Sequence, residues 1–487
     1  MYMPEGSRRR ATTALLAIVV LSLGFKLIGL NRPFLDAWWI RDLVVHSVAV
    51  NYYEKGINLL WPETDYTPDE PNYMDMELPL TPALAAAAWH LTGVNAWVPK
   101  LISILFSLAS ILLFHGTASR LLGRSGALAA TALFALSPLN LFLSRKFMSE
   151  PLTLCLMLAS IWAFFRWLET TRDGWLVLAA MVGALAALTK PPVVHFLLPL
   201  AWLLWHRKGW EGFRDARPYL FAAVVLVPLA LWMRHSAAIG EQYWSVGTSF
   251  SSGAWFSRQW VTAQSLSLMV QRFTKEILTP LGMVGVLAGL PLVSRRSGQF
   301  LFTMWLLAAL AYVLVLLGGN LRQTYYQLWL VAPAAGLAGC AWEKLVSSSG
   351  RGRRLWPWLV AGLLVWVTWG IHNYYDQEEA IPRARQALDQ VDPQHFWVIV
   401  YPAGYNCLYY LDRQGWCGRD LDRDYNMAAV SSPEYVTERV ARGAKYCVVF
   451  TAPNPIEFRD TKIEAYLARS YRRVARGEGF EVYRLAP

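Results

Sequence analysis

Apolar positions come in long unbroken runs for the first three quarters of the chain, then in short alternating stretches. The first run, from Ala11 to about Leu30, is long enough to cross a ~30 Å hydrocarbon core at ~1.5 Å per residue. Similar runs recur to residue 372, giving about eleven expected spans. No small-residue cleavage site follows the first run, so Arg8, Arg9 and Arg10 read as the flank of an uncleaved anchor. Within residues 31–82, LVVHSVAVNYYEKG (43–56) carries apolar residues at helical spacing between tyrosines and charges, predicting an amphipathic helix at the membrane surface.

From about Ala380 the pattern changes. FWVIVY (396–401), CLYYL (407–411), YCVVF (446–450) and EVYRL (481–485) predict short strands. SSPEYVTERVARG predicts a helix, with Ser431 three residues before Glu434 as a capping box. The expected fold is therefore a multi-pass α-helical membrane protein with a small C-terminal α/β domain outside the membrane. The expected division is 1–375, including an acidic first outer loop at 31–82, and 376–487.

Composition fixes the class. Hydrophobic residues make up 55% and charged residues 16% of 487 positions, too apolar for one soluble globule. The net charge of +11 does not point to nucleic acid, because the basic residues lie mostly between apolar runs. They gather in alternate connections: Arg120 and Arg124; Arg166 and Arg172; Arg207, Lys208, Arg214 and Arg217; Arg295 and Arg296; Lys344, Arg351, Arg353 and Arg354. The positive-inside rule makes those connections cytoplasmic, with the N-terminus inside and the tail outside. The expected setting is a bacterial-type inner membrane. Five cysteines form no CxxC motif; in an oxidising compartment Cys407 could pair with Cys417, leaving Cys447 over.

The opposite set of connections carries the candidate chemistry. Asp36, Arg41, Asp42 and His46 follow the first run; Asp75 and Glu77 lie in MDMELPLTP; Arg145, Lys146 and Glu150 in SRKFMSEPL; Lys190 in LTKPP; Arg322, Tyr325 and Tyr326 in NLRQTYYQ. Charges at a bilayer boundary are costly unless they serve a site or reach water. Each also has an ordinary structural role. Asp36 and Asp42 suit a solvated loop or a cap, Glu150 a helix N-terminus and Lys190 a helix C-terminus. Arg145 and Lys146 suit lipid head groups, the tyrosines an interfacial belt and His46 simple packing. The mixture argues for more, since a carboxylate base beside cations suits attack by a hydroxyl on a donor whose leaving group is a lipid phosphate. Carboxylates with a histidine could also hold a divalent cation, although no spaced ligand motif marks one.

In order, Asp42 with VVHSVAVNYYEKG, MDMELPLTPALAAAAW, SPLNLFLSRKFMSEPL, LTKPP and RQTYYQLWLVAP resemble the C-type glycosyltransferases (GT-C), in the branch of protein O-mannosyltransferases and lipid A aminoarabinose transferases. The resemblance spans about residues 11–345. It implies a polyprenyl-phosphate-sugar donor, inverting transfer of a hexosyl or pentosyl group to a hydroxyl on a glycolipid, polysaccharide or protein, and Asp42 as the base. Family members often carry Asp-Glu where this chain has Asp42 and Leu43. The resemblance further implies donor or acceptor roles for Glu77, Arg145, Glu150, Lys190 and Arg322, with Tyr325 and Tyr326 beside them. No nucleotide is needed. The rival class, a lipid or sugar transporter or flippase, commonly shows inverted repeats and mid-membrane charges. This sequence shows no obvious repeat.

Overall fold

A computed structural model describes residues 5–64, 71–245, 255–349, 352–401, 406–417, 432–451 and 461–485. The chain divides into two compact units. One comprises Met1–Arg32, Asn95–Arg234 and Ser252–Tyr375, the other Pro33–Val94, His235–Ser251 and Asp376–Pro487. A boundary thus falls at 375/376, and the first long loop is grouped with the tail.

The first unit is helical. Trp97–Leu121, Glu150–Thr170 and Arg217–Gln242 are long and apolar enough to cross a bilayer among the described residues. Ala263–Ile277 and Thr279–Leu292 form a fourth such segment if counted as one broken span, bent by 107°. The break falls at Thr279, whose φ of 66° lies in the left-handed region that a β-branched residue rarely enters.

Helices Glu150–Thr170 and Asp173–Thr189 pack as an antiparallel hairpin through Thr171 (φ 55°). Its register is fixed by small and hydroxyl side chains. Ser160 Oγ donates to Ala179 O at 2.8 Å, a Cβ on Gly183 would meet Ser160 Oγ at 2.9 Å, and the Thr153 and Thr189 hydroxyls lie 2.9 Å apart. Hydrogen bonding between close-packed helices is the usual way such spans associate.

The second unit contains Trp39–Lys55, a helix where the sequence predicts one but buried or half-buried over most of its length, and Leu80–Thr92 packed beside it. A two-stranded parallel ladder pairs β1 (Met74–Asp75) with β2 (Trp244–Ser245). The tail forms a mixed five-stranded sheet from β3 (Val398–Tyr401), β4 (Gly415–Cys417), β5 (Tyr446–Phe450), β6 (Arg472–Gly477) and β7 (Phe480–Arg484), in the order β4-β3-β5-β7-β6. Strands β4, β3 and β5 pair in parallel, while β7 pairs antiparallel with both β5 and β6; the parallel-paired interior strands β3 and β5 are buried at every position, as their continuous apolar runs require.

Three local readings change. CLYYL is helical (Asn406–Leu411): Cys407, Leu408 and Leu411 are buried while Tyr409 is exposed, a helical rather than a twofold period. The neighbouring strand is instead β4, where Gly415 is obligatory because a Cβ there would lie 1.9 Å from Val398 O. Strand β6, RRVARG, carries no strand signal in the sequence because it is a charged, half-exposed edge. The tail helix is Pro433–Ala441, and its cap is Ser432, whose side chain accepts from Tyr435 N; Ser431 lies outside the described residues. Cys407 and Cys447 are free, buried thiols, so the pairing of Cys407 with Cys417 is not formed.

Candidate functional site

In the first unit, the hairpin register carries one residue further at its open end. Glu150 begins its helix, Lys190 caps the other, and their side chains meet at 2.9 Å with 1% and 2% exposure. Both ordinary roles therefore apply at once: an acid at a helix N-terminus and a cation at a helix C-terminus, each neutralising the other. The Lys190 ammonium also lies 5.9 Å from the Tyr325 ring and 5.4 Å from the Tyr326 ring, which contact each other at 4.6 Å. These tyrosines sit on a 3-10 turn, Thr324–Leu330, and Tyr325 is buried, unlike a belt aromatic. Tyr312 holds the turn by donating to Tyr326 O at 3.0 Å.

Arg145 and Lys146 follow the short helix Pro138–Leu143, capped by Ser137, and are both buried. The Arg145 guanidinium lies 4.3 Å from the Tyr375 ring and 5.3 Å from the Phe142 ring, with Lys146 Nζ also 5.3 Å from Phe142. Such faces attract cations. Arg145 Nη1 donates to Ile28 O at 2.6 Å. Burial brings the Arg145 pKa down to about 10, partly countered by Tyr375. Arg322 is exposed and lies 5.6 Å from the Trp260 ring.

Lys100, Lys26 and Tyr375 did not stand out in the sequence reading. Lys100 Nζ donates to Gly29 O at 3.2 Å and to Arg32 O at 2.6 Å, so with Arg145 it binds the carbonyls of the turn after the N-terminal helix Glu5–Lys26. Gly29 has φ of 70°, and a Cβ there would meet Arg145 Nη1 at 2.9 Å. Lys26 Nζ donates to Ser107 Oγ at 2.6 Å. The available signal was a basic residue inside or at the edge of an apolar run.

The second unit holds the acids. Asp36, Asp42 and Asp75 are buried, and Arg41 pairs with Glu77 at 3.6 Å. Asp42 lies in the first turn of Trp39–Lys55 with His46 one turn on. Its burial removes the solvated-loop reading. Tyr410 lies on the helix Asn406–Leu411, and its hydroxyl accepts from Phe34 N at 2.7 Å. Burial raises the Tyr410 phenol, and the negative charge of Asp42 raises it further. His46 is enclosed by Tyr409 (4.3 Å), Trp89 (5.4 Å) and Phe34 (5.5 Å).

Burial brings His46 down to about 3 from its ordinary 6.5. Between those values the unfolded chain binds the proton and the folded chain does not, so His46 contributes stability that is full above pH 6.5 and lost as pH falls toward 3, roughly 1.4 kcal/mol per pH unit. We expect His46→Phe to flatten the acid-side fall in thermal stability across that window. An unchanged slope in unfolding measurements would dismiss the neutral, buried histidine.

Among the described residues no group of three or more His, Cys, Asp or Glu is placed to hold a metal ion. The sequence-read groups thus divide: Arg145, Lys146, Glu150, Lys190, Arg322, Tyr325 and Tyr326 belong to the first unit, Asp36, Asp42, His46, Asp75 and Glu77 to the second.

The fold is shared with several solved structures at low sequence identity. Residues 69–233 match the family described as dolichyl-phosphate-mannose-protein mannosyltransferase. The chain is similar in structure to ArnT from Cupriavidus metallidurans bound to undecaprenyl phosphate, covering 98% of both chains with a TM-score of 0.69 at 14% identity. It is also similar to the oligosaccharyltransferase AglB from Archaeoglobus fulgidus in complex with an inhibitory peptide and a dolichol-phosphate (90% of this chain, 69% of that one, TM-score 0.55, 12% identity). The arabinofuranosyltransferase AftD from Mycobacteria matches 99% of this chain and 42% of its own, with a TM-score of 0.55 at 16% identity. No curated protein matches by sequence. The resemblance drawn from the motifs holds at the level of fold and of this partial family match.

Proposed function

We propose that the protein is a membrane glycosyltransferase that moves a hexosyl or pentosyl group from a polyprenyl-phosphate donor to a hydroxyl on the extracytoplasmic face. The observation that carries this reading is the fold shared over 98% of both chains with ArnT bound to undecaprenyl phosphate. A buried Asp42 on the first-loop helix supports the assignment of the base.

The acceptor oxygen attacks the anomeric carbon as its proton passes to Asp42, and the bond from that carbon to the phosphate oxygen breaks. One displacement with one base inverts the configuration, unlike the paired carboxylates of a retaining glycosidase. The leaving group is a polyprenyl phosphate, whose growing negative charge needs cations held ready. Arg145 and Arg322 are assigned that role, with charge-assisted hydrogen bonds as the means. Lys190 shares its charge with Glu150, so it shapes the same unit beside Tyr325 and Tyr326. Glu77, paired with Arg41, is assigned to the acceptor. The acceptor is a glycolipid, polysaccharide or protein hydroxyl.

Radiolabel transfer from a set of polyprenyl-phosphate sugars to membrane acceptors tests the reading. Labelled product identifies donor and acceptor together. Unmodified donor appearing across a sealed bilayer, without product, would instead make the protein a transporter.

A further inference from the structure

The basic connections read only as topology signals are not equivalent in three dimensions. Within the first unit, Arg120 and Arg166 face Glu169 at 2.9 and 3.3 Å, Arg214 faces Glu211, and Arg217 faces Asp173 and Asp215 at 3.3 Å each. Arg207, Lys208, Arg295 and Arg296 differ: among the described residues no carboxylate pairs with any of them.

These four cations come from two connections that the helix packing brings together. Leu197–Lys208 packs against Phe300–Val315, with Trp202 and Phe300 rings 5.5 Å apart. A Cβ on Gly298 would lie 3.9 Å from His206 Nε2 and 3.4 Å from Leu121 Cδ2, so the Arg295–Arg296 turn meets the basic end of Leu197–Lys208. Lys208 Nζ rests 4.4 Å from the Trp167 ring, an apolar seat for its stem. Beside them Trp205 is 43% and Trp210 74% exposed, their rings 6.5 Å apart. Exposed tryptophans settle at head-group depth, where a ring is half in hydrocarbon and half in water.

We propose that Arg207, Lys208, Arg295 and Arg296 form a binding site for the head group of an anionic phospholipid, seated by Trp205 and Trp210. The occupant follows from charge complementarity and depth: four cations without carboxylate partners, bordered by interfacial tryptophans, match phosphate oxygens carried at a bilayer surface. Guanidinium groups take those oxygens in pairs, and the ammonium adds a point charge. This inference does not depend on the transfer reaction.

The test compares wild type with a variant carrying Arg207→Gln, Lys208→Gln, Arg295→Gln and Arg296→Gln, each as the full chain. Proteins released from bilayers of equal phosphatidylglycerol and phosphatidylcholine are weighed intact with their retained lipids. Wild type should retain phosphatidylglycerol several-fold over phosphatidylcholine, and the variant should retain both alike. A control, Arg214→Gln with Arg217→Gln, should keep the preference because those guanidiniums are already paired. If the fourfold variant does not fold, the doubles Arg207→Gln/Lys208→Gln and Arg295→Gln/Arg296→Gln take its place, each losing part of the preference. No preference in wild type, or the same preference in all variants, overturns the site. So does displacement of the lipid by inorganic phosphate at equal charge, which would make this a free-phosphate site.

Discussion

Asp42→Asn should reduce sugar transfer by on the order of 10²- to 10⁴-fold, the usual contribution of a positioned general base. Asparagine is nearly isosteric with aspartate but cannot take the acceptor's proton at neutral pH. Asp42 is fully buried on Trp39–Lys55, so the substitution removes a charge without opening a cavity. Donor KM should change little, because the loss falls on the transition state. The measurement is label transfer at equal folded protein. Wild-type turnover by a folded Asp42→Asn variant would take Asp42 out of the mechanism, and Glu77 would be the next acid to remove.

The largest stability effect should come from Lys190→Met. It leaves Glu150 buried at the head of the Glu150–Thr170 helix without its ammonium, and breaking a buried pair at one end costs about 3–5 kcal/mol. Replacing both partners, Glu150→Gln with Lys190→Met, should recover most of that, because no lone charge remains. Thermal unfolding of the wild type, the single and the double variant forms the cycle. Additive losses would show that the two side chains do not act as a pair. Activity of the double variant adds a separate answer: if it folds and transfers normally, Lys190 braces the hairpin and does not touch the donor.

Much of this was legible in the sequence because the signals were periodic. The run lengths over Trp97–Leu121, Glu150–Thr170 and Arg217–Gln242, the 3.6-residue pattern of 43–56 and the apolar strand YCVVF each follow from one-dimensional spacing, and each has its element, whereas about eleven spans are expected from the runs and three or four such segments are found among the described residues. What spacing could not supply was partnership. Glu150 and Lys190 are 40 positions apart, and only the hairpin register set by Ser160, Thr153 and Thr189 joins them. Lys100 looked like one more flanking cation, although it holds the carbonyls of Gly29 and Arg32. CLYYL misled because a part-buried six-residue helix and a buried strand are equally apolar over so few positions, and RRVARG because an edge strand needs no apolar face.

The second unit is assembled from three stretches of chain separated by long intervals. Phe34 N is bonded to the hydroxyl of Tyr410, a residue 376 positions later, and Glu378 N to Leu35 O at 2.6 Å. During synthesis the segment bearing Asp42 emerges early, yet Glu378 and Tyr410, which bond the backbone of Leu35 and Phe34, are made more than 300 residues later. Such distant pairings are slow to form and leave the early segment waiting in a non-native state. The surroundings of the candidate base are therefore completed late, so a chain stalled before its tail would carry an unassembled acidic loop.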